Sequence, residues 1–417
     1  TSSRPAAATE CGARRREAGV RPQATGRRAS PVAFLCLALV SGAQWRTIGA
    51  SERSAGADMT AGEGRGGKVR RWALRVALAL GVLGVGTWAA FQLSPWPSVL
   101  LIRWVFDRGA AEASEALRKH LPAGVTERAA VRYDATDPDA LLDVYYPPNV
   151  QGGHERLTTV VWVHGGGFVS GRRQDVAHYL KILAARGFVV ANVDYSIAPG
   201  ATWPTPTRQV NAALSYLQAH ADALNIDADR IVLAGDSAGA QIAAELANAI
   251  TSPDHARRIG ITPALAPRQL AGTLLFCGPY DASLVQWDSP FAGFMRTVLW
   301  SYMGRKDFLD DPRLDTFSVA RHVTPAFPPA FISAGNADPL EPHSHAMAAA
   351  LQKQGVRVDA LFFPKDHAPP LPHEYQFNLD SEAGRQAMER SVAFLHGLRE
   401  GGAAPPPTVE RSDRQGQ

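Results

Sequence analysis

Ser237 stands in Gly235-Asp236-Ser237-Ala238-Gly239, where the apolar run Ile231-Val232-Leu233-Ala234 gives way to an alanine-rich stretch with apolar residues at Ile242, Leu246 and Ile250. A short, continuously apolar run suits a strand buried on both faces, and the spacing after it is helical. A reversal this tight leaves little room beside the serine. Glycines supply it, because they accept positive φ and close backbone approach. The turn pushes the Ser237 hydroxyl out of the sheet and over the first free N–H groups of the helix, where developing negative charge is stabilised. Those are the surroundings of a nucleophile.

Upstream, a second apolar run over 158–163 ends in His164 followed by Gly165, Gly166 and Gly167. Three successive glycines cost backbone entropy and offer no packing, so a purely structural loop gains little from them. They let backbone N–H groups approach a ligand oxygen. In an acyl-transfer site such donors form an oxyanion hole, each contributing about 3–4 kcal/mol in the transition state.

His164-Gly165-Gly166-Gly167-Phe168, Gly235-Asp236-Ser237-Ala238-Gly239 and Val193-Asp194-Tyr195-Ser196-Ile197-Ala198-Pro199 together resemble motifs of the hormone-sensitive-lipase-like branch of the α/β-hydrolases, with a match running over 125–398. The resemblance implies an α/β-hydrolase fold: a mostly parallel eight-stranded sheet with helices on both faces and a helical cap. It implies a serine carboxylesterase acting on short- to medium-chain acyl esters without a cofactor, with oxyanion donors at Gly165, Gly166 and Ala238. Ala240 and Gln241 depart from the Gly-Asn usual in that branch, which bears on how the helix packs rather than on the chemistry.

A serine hydroxyl needs a base and an orienting acid, in the hydrolase chain order Ser, Asp or Glu, His. Asp338 follows an apolar run over 329–336 and precedes a helical pattern, and active-site residues of open α/β sheets gather at such strand ends. An ordinary turn-forming aspartate before Pro339 is the alternative. Two histidines follow the last strand. His373 matches the spacing of the family's catalytic histidine ahead of the final helix, whereas His367 comes several residues early. The stiff Pro369-Pro370-Leu371-Pro372 segment lies between them and is able to carry His373 across the sheet. Ser237, Asp338 and His373 are therefore the expected triad. An amidase or peptidase with the same triad, and a binding-only member such as the gibberellin receptors, remain as rival readings.

The elements that must position these residues read as two initial strands (130–135 and 141–147), then strands alternating with helices through a last strand near 360. That pattern gives a mainly parallel sheet covered on both faces in one large α/β domain. Alternation lapses over about 280–325, where an apolar, aromatic segment resembles the family's cap insertion; residues 94–124 read as linker or further cap helices.

Residues 1–75 hold 14 Lys and Arg against 5 Asp and Glu, although the whole chain carries only +4. The basicity is thus local, and no nucleic-acid-binding motif accompanies it. Residues 1–58 and 399–417 read as disordered, and Met59 is a candidate start. A basic flank from Arg65 to Arg71 leads into about 20 mostly apolar residues over 72–93, which reads as a single-pass membrane anchor with the basic side in the cytoplasm and the catalytic domain outside it. Secretion or a periplasmic location is the alternative. No G-x-x-x-G pattern sets an oligomeric state. Cys11 and Cys36 precede Met59, so Cys277 has no partner for a disulfide within the catalytic region, and no metal-binding pattern is evident. The expected partners are a small acyl ester and a membrane.

Overall fold

The computed structural model describes residues 66–148, 150 and 156–399. The basic extension over 1–58, Met59 and the tail from residue 400 lie outside the described residues. Among the described residues two helices, α1 (Gly66–Leu93) and α2 (Trp96–Leu117), precede the sheet, joined by Ser94 and Pro95. The described residues contain one helix long and apolar enough to cross a membrane, Lys68–Leu93, and none of it is buried against the rest of the chain.

Eight strands follow: β1 (Thr126–Arg132), β2 (Leu141–Tyr146), β3 (Leu157–Val163), β4 (Val189–Val193), β5 (Ile226–Asp236), β6 (Leu270–Phe276), β7 (Ala330–Ser333) and β8 (Val358–Leu361). They form one sheet in the order β1-β2-β4-β3-β5-β6-β7-β8. β1 pairs antiparallel with β2 and β2 with β4; every later pairing is parallel. β1 begins at Thr126, earlier than its apolar residues suggest. It is an edge strand, mostly exposed, and bulges at Ala130, whose N–H is accepted by Asp143 Oδ1 at 2.7 Å. Such bulges interrupt the ladder and blunt an edge.

Parallel strands need crossovers, and helices supply them. These are α3 (Arg173–Ala184), α4 (Thr205–Ala219), α5 (Ser237–Thr251) with the short α6 (Pro253–Ile259), then α7 (Ala292–Met303) and α8 (Arg313–Phe317) between β6 and β7, and α9 (Glu341–Lys353); α10 (Glu382–Arg399) follows the last strand. Apolar clusters fill both faces of the sheet. β3 and β4 are buried along their whole length, the polar Thr158, Thr159 and Asn192 included, as befits parallel strands covered on both faces.

Every residue of α5 is buried, polar ones included. Each long polar side chain has found a partner. Gln241 Nε2 donates to the Phe317 carbonyl at 3.0 Å, and Glu245 accepts from Trp203 Nε1 at 2.7 Å and Thr207 Oγ1 at 2.6 Å. The departure at Ala240 and Gln241 is thus absorbed by packing: Ala240 is fully buried and Gln241 ties α5 to the end of α8.

Candidate active site

Ser237 is the first residue of α5 and has φ of +51°, left-handed backbone that costs a non-glycine residue on the order of 1 kcal/mol or more. Its glycine neighbours make that turn possible by close approach. A Cβ on Gly239 would fall on the Val163 carbonyl of β3, and one on Gly235 would strike the Gly239 backbone.

His373 Nε2 lies 2.9 Å from Ser237 Oγ, and His373 Nδ1 lies 2.9 Å from Asp338 Oδ2. Asp338 follows β7 and is buried, and its second oxygen accepts the Leu340 N–H at 2.7 Å. The proline-rich segment before His373 is clamped to the same loop. Leu371 N–H donates to Asn336 Oδ1 and Ala337 N–H to the Leu371 carbonyl, both at 2.9 Å. His367 sits elsewhere, with its ring against Phe363 and its carbonyl accepting from Asn336 Nδ2.

Burial opposes a charge on His373, but Cys277 and Asp338 outweigh it and hold the imidazole well above its ordinary value. The Cys277 thiol is itself pushed up to about 11 by burial, so at neutral pH it is uncharged and the Asp338 carboxylate provides the stabilising charge. Donor atoms of Cys277, Asp338 and His373 lie within 4.8 Å of one another. Both ring nitrogens of His373 already face Ser237 and Asp338, so a metal here would have to break the hydrogen-bonded chain.

The glycine loop differs from expectation in one respect. The Gly165 N–H, expected among the oxyanion donors, donates instead to Asp236 Oδ2 at 2.9 Å, while Trp162 Nε1 donates to Asp236 Oδ1 at 2.7 Å. Gly166 and Gly167 adopt φ of +113° and +61°. Among the described residues, the N–H groups of Gly166, Gly167 and Ala238 have no backbone acceptor. Ala238 is in the first turn of α5, where N–H groups are free by construction.

A cavity of about 510 Å³ lies beside Ser237 and His373. Its apolar wall comes from α2 through Ile102, Phe106 and Ala110 and from α7 through Phe294, Met295 and Val298. This volume falls in the range of small-molecule sites. A hydroxyl, an imidazole and a buried carboxylate in series beside free N–H groups and an apolar cavity can carry out nucleophilic attack on a carbonyl.

A family model described as alpha/beta hydrolase fold matches residues 160–368, half of the chain and the stretch that holds the glycine loop, Ser237 and Asp338, with His373 just beyond it. The chain belongs to the alpha/beta hydrolase fold family. Among curated relatives, the chain is 30% identical over 286 residues to carboxylesterase NlhH of Mycobacterium tuberculosis, covering 66% of the chain and 83% of the relative. It is 30% identical over 215 residues to the acetyl esterase of Salmonella paratyphi B, but that alignment spans 49% of the chain and 63% of the relative's length. Among solved structures, an esterase from Pyrobaculum calidifontis is 25% identical with a TM-score of 0.58, covering 72% of this chain and 94% of that chain. Inhibited esterase B from Lactobacillus rhamnosis shares the fold with a TM-score of 0.63 at 21% identity, over 72% and 96% of the two chains.

Sequence reasoning missed three residues of the site. Asp236 was read as part of the elbow, not as the bridge to the glycine loop. Glu374 occupies left-handed backbone at φ of +59° with Oε1 3.8 Å from His373 Nε2, and with burial it drives the Asp236 carboxyl well above its usual range. Cys277 was read only as a cysteine without a disulfide partner, and its place beside His373 became visible only in three dimensions. Only Glu374 carried a local signal, as a charged residue directly after the candidate base.

Proposed function

We propose that the protein is a serine carboxylesterase for short- to medium-chain acyl esters. The observation that carries this reading is the chain Ser237 Oγ, His373, Asp338, with 2.9 Å at each link, beside an apolar cavity. As Ser237 Oγ bonds to the ester carbonyl carbon, its proton passes to His373 Nε2, and Asp338 stabilises the imidazolium through Nδ1–H. The N–H groups of Gly166, Gly167 and Ala238 receive the oxyanion, with Gly165 serving to hold the loop. His373 returns the proton to the departing alcohol, leaving an acyl group on Ser237. Water then attacks the acyl carbon and gives a proton to His373; as the acyl–Oγ bond breaks, His373 passes that proton to Ser237 Oγ and the acid leaves. The helices α2 and α7 act as the cap over the acyl pocket.

The apolar helix α1 supports a second part of the reading: a membrane anchor with its basic end in the cytoplasm and the catalytic domain on the other side. The experiment that tests the function is a panel of p-nitrophenyl esters from acetate to octanoate against wild type and Ser237→Ala, with a matched p-nitroanilide. Ester turnover that depends on Ser237 supports the reading. Turnover of the anilide alone would make the enzyme an amidase, and binding without turnover would make it a receptor-like member.

A further inference from the structure

The helices that wall the cavity also present aromatic residues to the outside. On α2, Ile102, Phe106 and Ala110 face the cavity. Another face carries Trp96, Leu100 and Trp104, exposed to 42%, 58% and 50%. A spacing of four residues places these three in one stripe. Two tryptophans and a leucine side by side are unusual on a surface that meets only water.

Each tryptophan carries a cation. Arg103 Cζ lies 5.3 Å from the centre of the Trp96 ring and Arg108 Cζ lies 4.2 Å from that of Trp104. The same pairing recurs around α7, with Arg296 over Trp287 at 4.9 Å and Lys306 over Trp300 at 5.2 Å. Lys306 Nζ also donates to the carbonyl of Gln92, in the last turn of α1, at 2.6 Å. The loop after α7 therefore sits where α1 ends, and α2 departs from that point after two residues. Tryptophan with Arg or Lys is the composition of the bilayer–water boundary, where amphipathic rings and long cationic stems bridge apolar and polar layers. A protein partner would also cover an apolar stripe, but it would not need the stripe to begin where a bilayer-length helix stops.

We propose that the outer face of α2, together with the loop after α7, is a docking platform for the lipid bilayer. Trp96, Leu100 and Trp104 lie at headgroup depth on the side where α1 emerges, and the cavity behind them takes acyl esters dissolved in that bilayer. This rests on the esterase and anchor readings and names the substrate class: uncharged, lipid-soluble esters that enter from the membrane surface.

The test uses the full chain in phosphatidylcholine vesicles. The variant W96E/L100E/W104E is compared with wild type on p-nitrophenyl acetate supplied in water and on p-nitrophenyl octanoate dissolved in the vesicle bilayer. The expected result is acetate hydrolysis within twofold of wild type and a loss of tenfold or more on octanoate. A second readout does not depend on turnover. Vesicles of brominated phosphatidylcholine should quench tryptophan fluorescence in wild type, and W96F/W104F should remove a share of that quenching. Equal effects on the two esters, or quenching unchanged by W96F/W104F, would overturn the platform. Loss of a dimer in the glutamate variant without any quenching change would overturn it in favour of contact between two copies. Quenching that behaves as expected in a chain that hydrolyses neither ester would uphold the platform and count against the esterase reading.

Discussion

Asp236 and Gly165, 71 residues apart in sequence, are joined by a hydrogen bond of 2.9 Å from the Gly165 N–H to Asp236 Oδ2. The Asp236 carboxyl beside the nucleophile therefore holds the glycine loop, with Trp162 fixing its other oxygen. Asp236→Asn places an amide where one of two donors expects an acceptor. We expect kcat to fall by about 10², the scale of a displaced oxyanion donor, with KM changed much less. An equal rise in KM with kcat intact would show that the bond serves only substrate binding.

Ser237→Ala should lower ester turnover by 10⁴-fold or more, since triad members act as a unit. Its left-handed backbone adds a stability prediction. Ser237→Gly should be equally inactive yet more stable than Ser237→Ala by about 1 kcal/mol, because glycine accepts φ of +51° without strain. Urea denaturation of the two variants checks the order.

His373→Ala should match Ser237→Ala in its loss, whereas His367→Ala, remote from Ser237, should stay within about threefold of wild type. The reverse order in steady-state assays would move the base to His367.

Attack requires neutral His373, so activity falls as pH drops through its pKa. Because Asp338 holds that value up, the acid limb of kcat/KM should have its midpoint above the ordinary imidazole value of about 6.5. Asp338→Asn removes the charge that favours the imidazolium, which moves the limb to lower pH while kcat falls by about 10⁴. A limb left in place in that variant would assign the titration to another group.

Glu245 is fully buried and burial raises its pKa to about 7. A carboxyl raised on folding stabilises the fold fully below its unfolded value of about 4.3 and loses that contribution as pH rises towards 7. Relative to wild type, Glu245→Gln should therefore be more stable at pH 8 than at pH 5, by a difference of up to about 3 kcal/mol. A pH-independent difference in denaturation midpoints would show that Glu245 stays ionised throughout.

The nucleophile turn and the triad candidates were legible because they rest on local spacing: two glycines around Ser237, a strand end before Asp338, a stiff proline segment before His373. The eight strands were legible from their apolar runs, although β1 starts earlier because an exposed edge strand needs few apolar residues. The donor assignment at Gly165 was not legible. Three identical letters conceal which amide turns outwards, and that choice follows from φ at Gly166 and Gly167 and from a carboxylate on another strand. Cys277 was hidden for a similar reason, since it follows β6 and meets His373 only in the folded sheet, whereas Glu374 adjoins His373 in sequence and only its action on Asp236 was hidden.

The link between α1 and α2 is only Ser94 and Pro95, a span of roughly 7 Å at full extension. With α1 in a bilayer, so short a leash lets the catalytic domain pivot but not lift away. Encounters with membrane-dissolved esters then become a lateral, two-dimensional search at high local concentration, while a water-soluble ester gains nothing from the tether. Lengthening the leash should weaken that advantage without touching a single residue of the pocket.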